Sequence, residues 1–185
     1  MVSFDLKSGF WHIPLASEAQ QYVAFSWRGK FYCFCRLPFG LASSPWAFTK
    51  VLRQLVMHWR SLGIRLLPYL DDFLFMAPSF VGASELAARV LRDFQSAGFV
   101  VNMDKSVLHP SQSTTHLGMI VDSVSGQFEV PAHRCDKLQA AIRSLTSAPR
   151  NRVPVRQLAS CVGQIISMRV ALGPVVHLYT RYDLL

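Results

Sequence analysis

Alternating apolar and polar residues predict three β-structures in the first half of the chain. Residues 2–6 alternate in this way and place Asp5 on the polar side, so we predict a half-buried strand. Residues 21–27 and 30–36 predict two further strands joined by a tight turn. Residues 64–76 are mostly apolar and contain an acidic pair in their middle, which predicts a hairpin.

Two segments place apolar residues at helical spacing. The first begins at Ser44, a predicted N-cap, with Pro45 at the first helical position, and Gly63 is the predicted residue just after its end. The second covers residues 84–98 and ends at a glycine. Both helices have one apolar stripe, so we expect them to pack on one face of the sheet.

The last third of the chain changes from strand to helix patterns. Strands are predicted near 115–121 and 127–130, and helical spacing follows Pro131. After a break, a further helix is predicted from about Val155, and a last apolar helix or turn from about Val170. The predicted fold class is therefore α+β: an antiparallel sheet with helices on one face, followed by a small all-helical lobe.

Composition and charge add a partner class to this fold. The chain has 185 residues, of which 51% are hydrophobic and 16% charged, as in a folded globular domain. The net charge is +8, and residues 131–185 hold eight Lys and Arg against two Asp, which gives +6 of that total. Such a basic lobe is typical of nucleic-acid binding, although a soluble basic helical tail would have the same charge.

No feature of the sequence predicts a secreted or membrane protein. The N-terminal residues lack the basic and apolar segments of a signal peptide. The most apolar stretch, residues 161–179, contains Gln164, Arg169 and His177, which argues against a membrane span. The four cysteines form no CxxC motif, and we expect reduced thiols in an intracellular protein, in either the cytoplasm or the nucleus.

The acidic pair Asp71–Asp72 has two interpretations. Asp tolerates positive φ and binds its own turn backbone, so the pair could simply form the hairpin turn. Alternatively, Asp5 and the hairpin lie in one sheet, and three carboxylates converge on its free face. Converging carboxylates need a neutralising cation, and Mg²⁺ accepts one or two of them while keeping positions for phosphates. This hypothesis requires Asp5 to lie within chelating distance of Asp71.

Five sequence blocks support the second interpretation. In chain order they are FDLKSGFWHIPL, LPFGLASSPWAF, YLDDFLF, GFVVNMDKS and HLGM, and together they resemble the reverse transcriptase palms of retroelements. The C-terminal segment LASCVGQIISMRVALGPVVHLYTR resembles the thumb of DIRS-like elements, which are retrotransposons that integrate with a tyrosine recombinase. The resemblance covers nearly the whole chain.

The resemblance implies a domain plan and a set of partners. Residues 1–130 would be a palm with a partial fingers insertion at about 15–43, residues 131–185 a basic helical thumb-like region, and most of the fingers would be missing. The activity implied is that of an RNA-directed DNA polymerase acting on deoxynucleoside triphosphates (dNTPs) and an RNA or DNA template–primer duplex. RNase H and recombinase modules of the same polyprotein are expected outside this chain, and no membrane partner is expected.

The resemblance also assigns the metal site. Asp5 and Asp71 would be the principal ligands of two Mg²⁺ ions, with Mn²⁺ as a possible substitute. Asp72 would be the second carboxylate of the hairpin, and the backbone carbonyl of Leu6 would join the metal shell. Lys105 matches a lysine near the pyrophosphate, although it could equally be a solvated turn lysine.

Nucleotide and primer sites follow from the same blocks. Phe10 matches the steric gate that excludes a ribose 2′-OH, although an ordinary core role is the alternative; Phe39 and Gly40 would frame the nascent base pair. Met119 could likewise be simple packing. The residues expected to hold primer and template are Tyr69, Leu117, Gly118, Met119, Arg150, Arg152 and Arg156.

Two rival functions remain at this point. A decayed or domesticated palm and thumb would bind nucleic acid or a protein partner without polymerising. Another palm-type enzyme, such as an RNA-templated RNA polymerase, would share the carboxylates, but Phe10 argues against it. Because the phosphate-holding fingers are expected upstream of Asp5, we expect this chain alone to be weakly active or inactive.

Overall fold

The computed structural model describes residues 1–147 and 153–180. The chain divides into two compact units, Met1–Ser111 and Gln112–Leu185. The strands predicted to close the first lobe therefore belong to the second unit. The division into palm, fingers insertion and thumb stays a prediction. Within the described ranges, no helix has the length and apolar character needed to cross a membrane.

The first unit alternates short strands with two long helices. Short 3₁₀ turns lie at Gly9–His12 and Gln21–Val23. The elements are β1 (Val2–Asp5), α1 (Ser17–Gln20), β2 (Ala24–Trp27), β3 (Lys30–Cys33), α2 (Ser44–Ser61), β4 (Arg65–Tyr69), β5 (Asp72–Met76) and α3 (Phe80–Ser96).

The central sheet is antiparallel, in the order β1-β5-β4. Phe4 lies opposite Phe73, and Val2 lies opposite Phe75, so these apolar side chains share one face. They pack with the buried faces of α2 and α3 into a single hydrophobic core. Side chains at the intervening positions, Asp5 among them, lie on the opposite face.

Aromatic rings dominate this core. Trp59 of α2 packs edge-to-face against Phe73, Phe75 and Phe94, with ring centroids 6.1, 5.2 and 5.1 Å away. This geometry suits the ring quadrupoles. The indole N–H of Trp59 donates a 2.8 Å hydrogen bond to Asp93 Oδ2, so the one polar atom of this buried side chain has a partner. Aromatic packing on the core face of the sheet thereby stabilises the strands that carry the acidic residues.

The ends of the long helices differ in detail from the prediction. Ser43, not Ser44, is the N-cap of α2; the Ser44 hydroxyl instead donates to the Pro38 carbonyl at 2.6 Å and is fully buried. Gly63 follows the helix with φ of 74°, as predicted. Helix α3 begins at Phe80, before the predicted residue 84, because the Ser79 hydroxyl accepts from Gly82 N–H.

The β2–β3 hairpin turns at the predicted position but is shorter than predicted. Arg28 and Gly29 have φ of 47° and 74°, which is the conformation of a two-residue hairpin turn. Residues 21–23 form a 3₁₀ turn, and the second strand ends at residue 33 rather than 36. This hairpin is a separate two-stranded sheet.

The second unit holds a small sheet and helices. Its strands are β6 (Ser113–His116), β7 (Met119–Asp122) and β8 (Gln127–Glu129), paired antiparallel in that order. The predicted strand at 115–121 is wrong, because a turn at Leu117 and Gly118 divides it into two. The helices are α4 (Ala132–Ser147), α5 (Val155–Ser167), α6 (Arg169–Leu172) and α7 (Val175–Thr180). The α+β class with antiparallel strands and a helical C-terminal region is confirmed.

Candidate active site

The β4–β5 turn has one strained residue, Leu70, immediately before the acidic pair. Strand β4 ends at Tyr69 and β5 begins at Asp72, so Leu70 and Asp71 form the turn. Leu70 has φ of 53°, a left-handed value that is uncommon for a residue with a branched side chain. The simple-turn interpretation, in which the acidic pair supplies the positive φ, is therefore wrong: Leu70 supplies it, and Asp72 belongs to the strand.

Asp5 and Asp72 lie directly opposite each other across the β1–β5 pair. Since Phe4 and Phe73 face the helices, both carboxylates lie on the other face of the sheet. Leu6 N–H donates to the Asp71 carbonyl at 3.0 Å, which extends the pairing to the turn. All three aspartates are half-buried. The structure thus brings the three predicted carboxylates together at one end of the sheet.

The segment 102–106 hydrogen-bonds the backbone of Asp5 on the side of β1 that does not pair with β5. Asp5 N–H donates to Ser106 Oγ at 3.0 Å, and its carbonyl accepts from Asn102 N–H at 2.8 Å. Lys105 lies between these two partners in a solvent-exposed turn. The segment that carries the predicted pyrophosphate lysine is therefore bonded to the strand that carries the first aspartate.

The pKa of Asp72 reflects the close approach of the three carboxylates. Burial raises the pKa of Asp72, and the negative charges of Asp5 and Asp71 raise it further. A hydrogen bond with the Asp5 side chain acts in the same direction, while the Lys105 ammonium lowers the pKa. Opposed like charges on adjacent strands destabilise the pair. A divalent cation would relieve this repulsion.

The carboxylate ligands at this site suit Mg²⁺ better than a metal that requires a complete set of protein ligands. Among the described residues, no three His, Cys, Asp or Glu side chains are already arranged to hold a metal ion. Mg²⁺ does not require such an arrangement, because it is commonly held by one or two carboxylates, with water and substrate phosphates as the remaining ligands. The opposed carboxylates of Asp5 and Asp72, with Asp71 in the adjoining turn, fit that mode of binding.

Gly9 allows the 3₁₀ turn Gly9–His12 to lie against Asp71. The sequence analysis did not predict this role of Gly9. A Cβ at Gly9 would lie 2.7 Å from Phe48 Cζ and 3.3 Å from Asp71 Cβ. The next residue, Phe10, packs on Phe39 and Phe48 with ring centroids 5.0 and 5.2 Å away. The signal in the sequence was a glycine immediately before the predicted gate residue.

Phe10 and its neighbours form a partly exposed aromatic surface. Phe10 is half-buried, whereas the Phe39 side chain is 61% exposed. Gly40 has φ of 86° with open space around its Cα, so its conformation favours glycine. His12 is a satisfied structural residue: Val100 N–H donates to its Nε2, and its Nδ1 lies 3.1 Å from the Gly9 carbonyl oxygen.

The remaining predicted residues are placed as follows. Tyr69 lies opposite Asp72 in the β4–β5 pair and is 57% exposed. Leu117 and Gly118 form the β6–β7 turn with φ of 50° and 74°, and Met119 is buried, which favours the packing alternative for its side chain. Arg156 is exposed in the first turn of α5. The predicted template contacts Arg150 and Arg152 lie outside the described residues.

Arg134 stabilises the β6–β7 turn, a role that the sequence analysis missed. Its Nη1 donates to the Gly118 carbonyl at 2.8 Å and lies 3.4 Å from Met119 Sδ. Its Nη2 donates to Ser167 Oγ, so one side chain joins the turn, α4 and α5. Nothing in the sequence spacing pointed to this contact, because the partners are up to 33 residues apart.

Comparison with known families decides the assignment. The family described as reverse transcriptase (RNA-dependent DNA polymerase) matches residues 1–121. The chain belongs to the reverse transcriptase family. The matched segment contains all the aspartates of the candidate site, Lys105, Phe10 and the β6–β7 turn.

Individual relatives of this reverse transcriptase chain are viral proteins. The Pro-Pol polyprotein of simian foamy virus type 1 is 32% identical over 104 residues, which is 56% of this chain and 9% of the polyprotein. Protein P of duck hepatitis B virus (strain United States/DHBV-16) is 26% identical over 147 residues, 78% of this chain and 17% of that protein. The chain therefore spans less than a fifth of either relative.

Solved structures agree with the family at the level of the fold. A foamy viral protease-reverse transcriptase in complex with RNA/DNA hybrid has a TM-score of 0.75 at 25% identity, covering 91% of this chain and 21% of that one. The same viral protein in complex with dsDNA has a TM-score of 0.73 at 26% identity, covering 91% of this chain and 32% of that one. The α+β reverse transcriptase fold is thus present in this chain.

The raised pKa of Asp72 yields a prediction about stability. Because its folded-state pKa lies above the unfolded value, the folded chain binds more protons, so this carboxyl's contribution is present at low pH and is lost as pH rises through the folded pKa. Without divalent metal at pH 7, Asp72→Asn should therefore increase the free energy of unfolding measured in urea. The increase should shrink as pH falls below 4.

Asp122 provides the matched control for this measurement. Backbone N–H of Val124 lowers the pKa of its exposed carboxyl, so Asp122→Asn should not stabilise the chain at pH 7. A loss of stability on Asp72→Asn in metal-free buffer at pH 7 would contradict the electrostatic interpretation.

The close approach at Gly9 yields a second prediction. Gly9→Ala forces a methyl group against the fully buried Phe48 ring, so it should lower the free energy of unfolding by about 1–3 kcal/mol. Gly163→Ala, in the middle of α5 with no heavy atom within 4 Å of the added Cβ, should instead stabilise the chain by about 0.5–1 kcal/mol. Equal effects of the two substitutions in urea unfolding would show that the close approach is absent.

Proposed function

We propose that this chain is the palm-containing part of an RNA-directed DNA polymerase that extends a primer 3′-OH with dNTPs by two-metal phosphoryl transfer. The observation that carries the proposal is the register of β1 and β5, which sets Asp5 opposite Asp72 beside the turn that holds Asp71. Membership in the reverse transcriptase family supports it.

Asp5 and Asp71 are the proposed principal metal ligands, with Asp72 and the Leu6 carbonyl completing the set. Bound Mg²⁺ or Mn²⁺ ions would supply activation of the attacking hydroxyl and stabilisation of the leaving phosphate oxygen. The raised pKa of Asp72 supports a site that needs positive charge. In the reaction, the primer oxygen forms a bond to the α-phosphorus, and the bond from that phosphorus to the pyrophosphate oxygen breaks.

The remaining groups act on the nucleotide. Lys105 neutralises or protonates the departing pyrophosphate, and its electrostatic effect on Asp72 supports a position beside the carboxylates. Phe10 blocks the 2′-OH of a ribonucleotide, which its packing between Phe39 and Phe48 supports because a ring held on two sides cannot easily move away. Phe39 and Gly40 frame the nascent base pair.

The proposed macromolecular partner is a template–primer duplex of RNA or DNA. The foamy viral relatives are complexes with RNA/DNA hybrid and with dsDNA. In this chain we propose that Tyr69 and the turn at Leu117 and Gly118 steady the primer end, and that the buried Met119 contributes by packing next to that turn. Arg150, Arg152 and Arg156 are proposed to contact phosphates from the basic C-terminal region, whose charge supports that role.

The source proposed for the chain is a DIRS-like retrotransposon. The C-terminal segment LASCVGQIISMRVALGPVVHLYTR supports this subtype, and RNase H and recombinase modules are then expected elsewhere in the same polyprotein. All four cysteines are free thiols, which supports an intracellular setting in the cytoplasm or nucleus.

Primer extension on an RNA template tests the proposed activity. Both this chain and a longer chain that includes the upstream sequence of the element should be assayed with dNTPs and Mg²⁺. Asp5→Asn and Asp71→Asn should each lower extension by about 100-fold or more, because each removes charge from the metal shell. Asp122→Asn, an exposed carboxyl in the second unit, should leave extension unchanged.

Two results would contradict the proposal. Duplex binding without extension in either chain, unaffected by Asp71→Asn, would indicate a non-polymerising nucleic-acid binder instead. Extension that persists in Asp5→Asn and Asp71→Asn would place the chemistry at other residues.

Nucleotide choice tests the role of Phe10. Phe10→Ala should relax the preference for dNTPs over rNTPs by about 10-fold or more, because the 2′-OH no longer meets an aromatic wall. Trp11→Ala changes the neighbouring, partly exposed ring and should leave the dNTP/rNTP ratio of kcat/KM unchanged. An unchanged ratio in Phe10→Ala would contradict the gate assignment, and a wild-type preference for rNTPs would favour an RNA polymerase.

A further inference from the structure

We propose that a basic groove between α2 and the edge strand β4 binds the phosphate backbone of one strand of the template–primer nucleic acid. This inference rests on the proposed function, because it extends the nucleic-acid surface beyond the residues assigned above. The groove has a volume of about 390 Å³ and is formed entirely within the first compact unit. We call it the α2 groove.

The lining of the α2 groove combines an apolar floor with a cationic rim. Its floor includes Leu52 and Phe73, both of which belong to the core. Its rim carries Lys50, Arg53 and Arg60, which are all exposed. No acidic residue lines the groove, and α2 has none over its full length.

The three rim cations form no ion pair with any residue in the described part of the chain. The ion pair found there is Arg89 with Asp93, both on α3. A solvated helix face commonly alternates charges of both signs, which supply partners at i+3 or i+4. Helix α2 has only basic charges, and they border a concave surface, so the groove is complementary to an anionic ligand.

The spacing of the cations suits a polyanion more than a single phosphate. Arg53 and Arg60 are seven residues apart and lie on nearly the same side of the helix. Lys50 and Arg60 are ten residues apart, about 15 Å along the axis, which is the length of about four phosphates of one duplex strand. A single small anion could contact only part of this row.

The position of the groove links it to the candidate active site. Pro68 and Leu70 line it, and Leu70 immediately precedes Asp71 in the turn. Trp46, in the first turn of α2, also lines the groove; it is 64% exposed, and the Lys50 ammonium lies 5.1 Å from its ring centroid. A strand bound near the carboxylates could therefore continue over the edge of β4 and along the rim of the groove.

Salt-dependent binding tests the α2 groove. Affinity of the 185-residue chain for a labelled RNA/DNA duplex with a 5′ overhang would be measured in EDTA, without dNTPs, between 50 and 200 mM salt. Arg53→Gln/Arg60→Gln should reduce the slope of log affinity against log salt by about 2, because each substitution removes one cation that neutralises a phosphate. Arg89→Gln/Arg92→Gln on α3 removes the same net charge and should leave the slope near the wild-type value.

The outcomes separate this inference from the proposed function. Equal slope changes in the two double variants, or no change in Arg53→Gln/Arg60→Gln, would overturn the groove even if the chain extends primers. A groove-dependent slope in a chain that never extends primers would leave the groove standing while the polymerase proposal fails. Absence of duplex affinity would overturn the groove. The groove would also be overturned if binding of poly-L-glutamate depended on Arg53 and Arg60 while binding of the duplex did not.

Discussion

The antiparallel pairing of β1 with β5 is the constraint on which the candidate site depends. Its register sets Phe4 opposite Phe73 on the core side and Asp5 opposite Asp72 on the other. A shift of one residue would turn the carboxylates into the core, where charged groups are costly. Burial of aromatic side chains on the core face holds the β1–β5 register. The same register therefore determines both the packing of the core and the placement of the like charges.

The aromatic core makes a destabilising arrangement of charges tolerable. Opposed carboxylates reduce the stability of an unliganded sheet, and the raised pKa of Asp72 is one sign of that cost. Edge-to-face packing of Trp59 against Phe73 and Phe75 supports the same strands from the opposite face. Leu70 at positive φ and the close approach at Gly9 add further local constraint beside Asp71. Strain of this kind is common where a fold positions reactive groups.

Features governed by short periodicity were predictable from the sequence, whereas features governed by contacts between distant residues were not. Alternation placed Asp5 away from the core and located the hairpin, because both depend on neighbouring residues. The α2 N-cap was displaced by one residue because the Ser44 hydroxyl bonds to Pro38. The pattern at 115–121 predicts one continuous strand, although it contains a glycine, since its apolar residues continue through the turn. Gly9 and Arg134 depend on partners that no local pattern identifies.

Divalent-metal binding tests the central claim most directly. Mn²⁺ added to the chain should enhance water-proton relaxation, and Asp5→Asn and Asp71→Asn should each reduce this enhancement, while Asp122→Asn should not. This result would place one cation between residues that are 66 positions apart in the sequence, one at the end of β1 and the other in the turn before β5. Mn²⁺ binding of unchanged strength in Asp5→Asn would contradict the account, because the carboxylates would then be neighbours without a shared ligand.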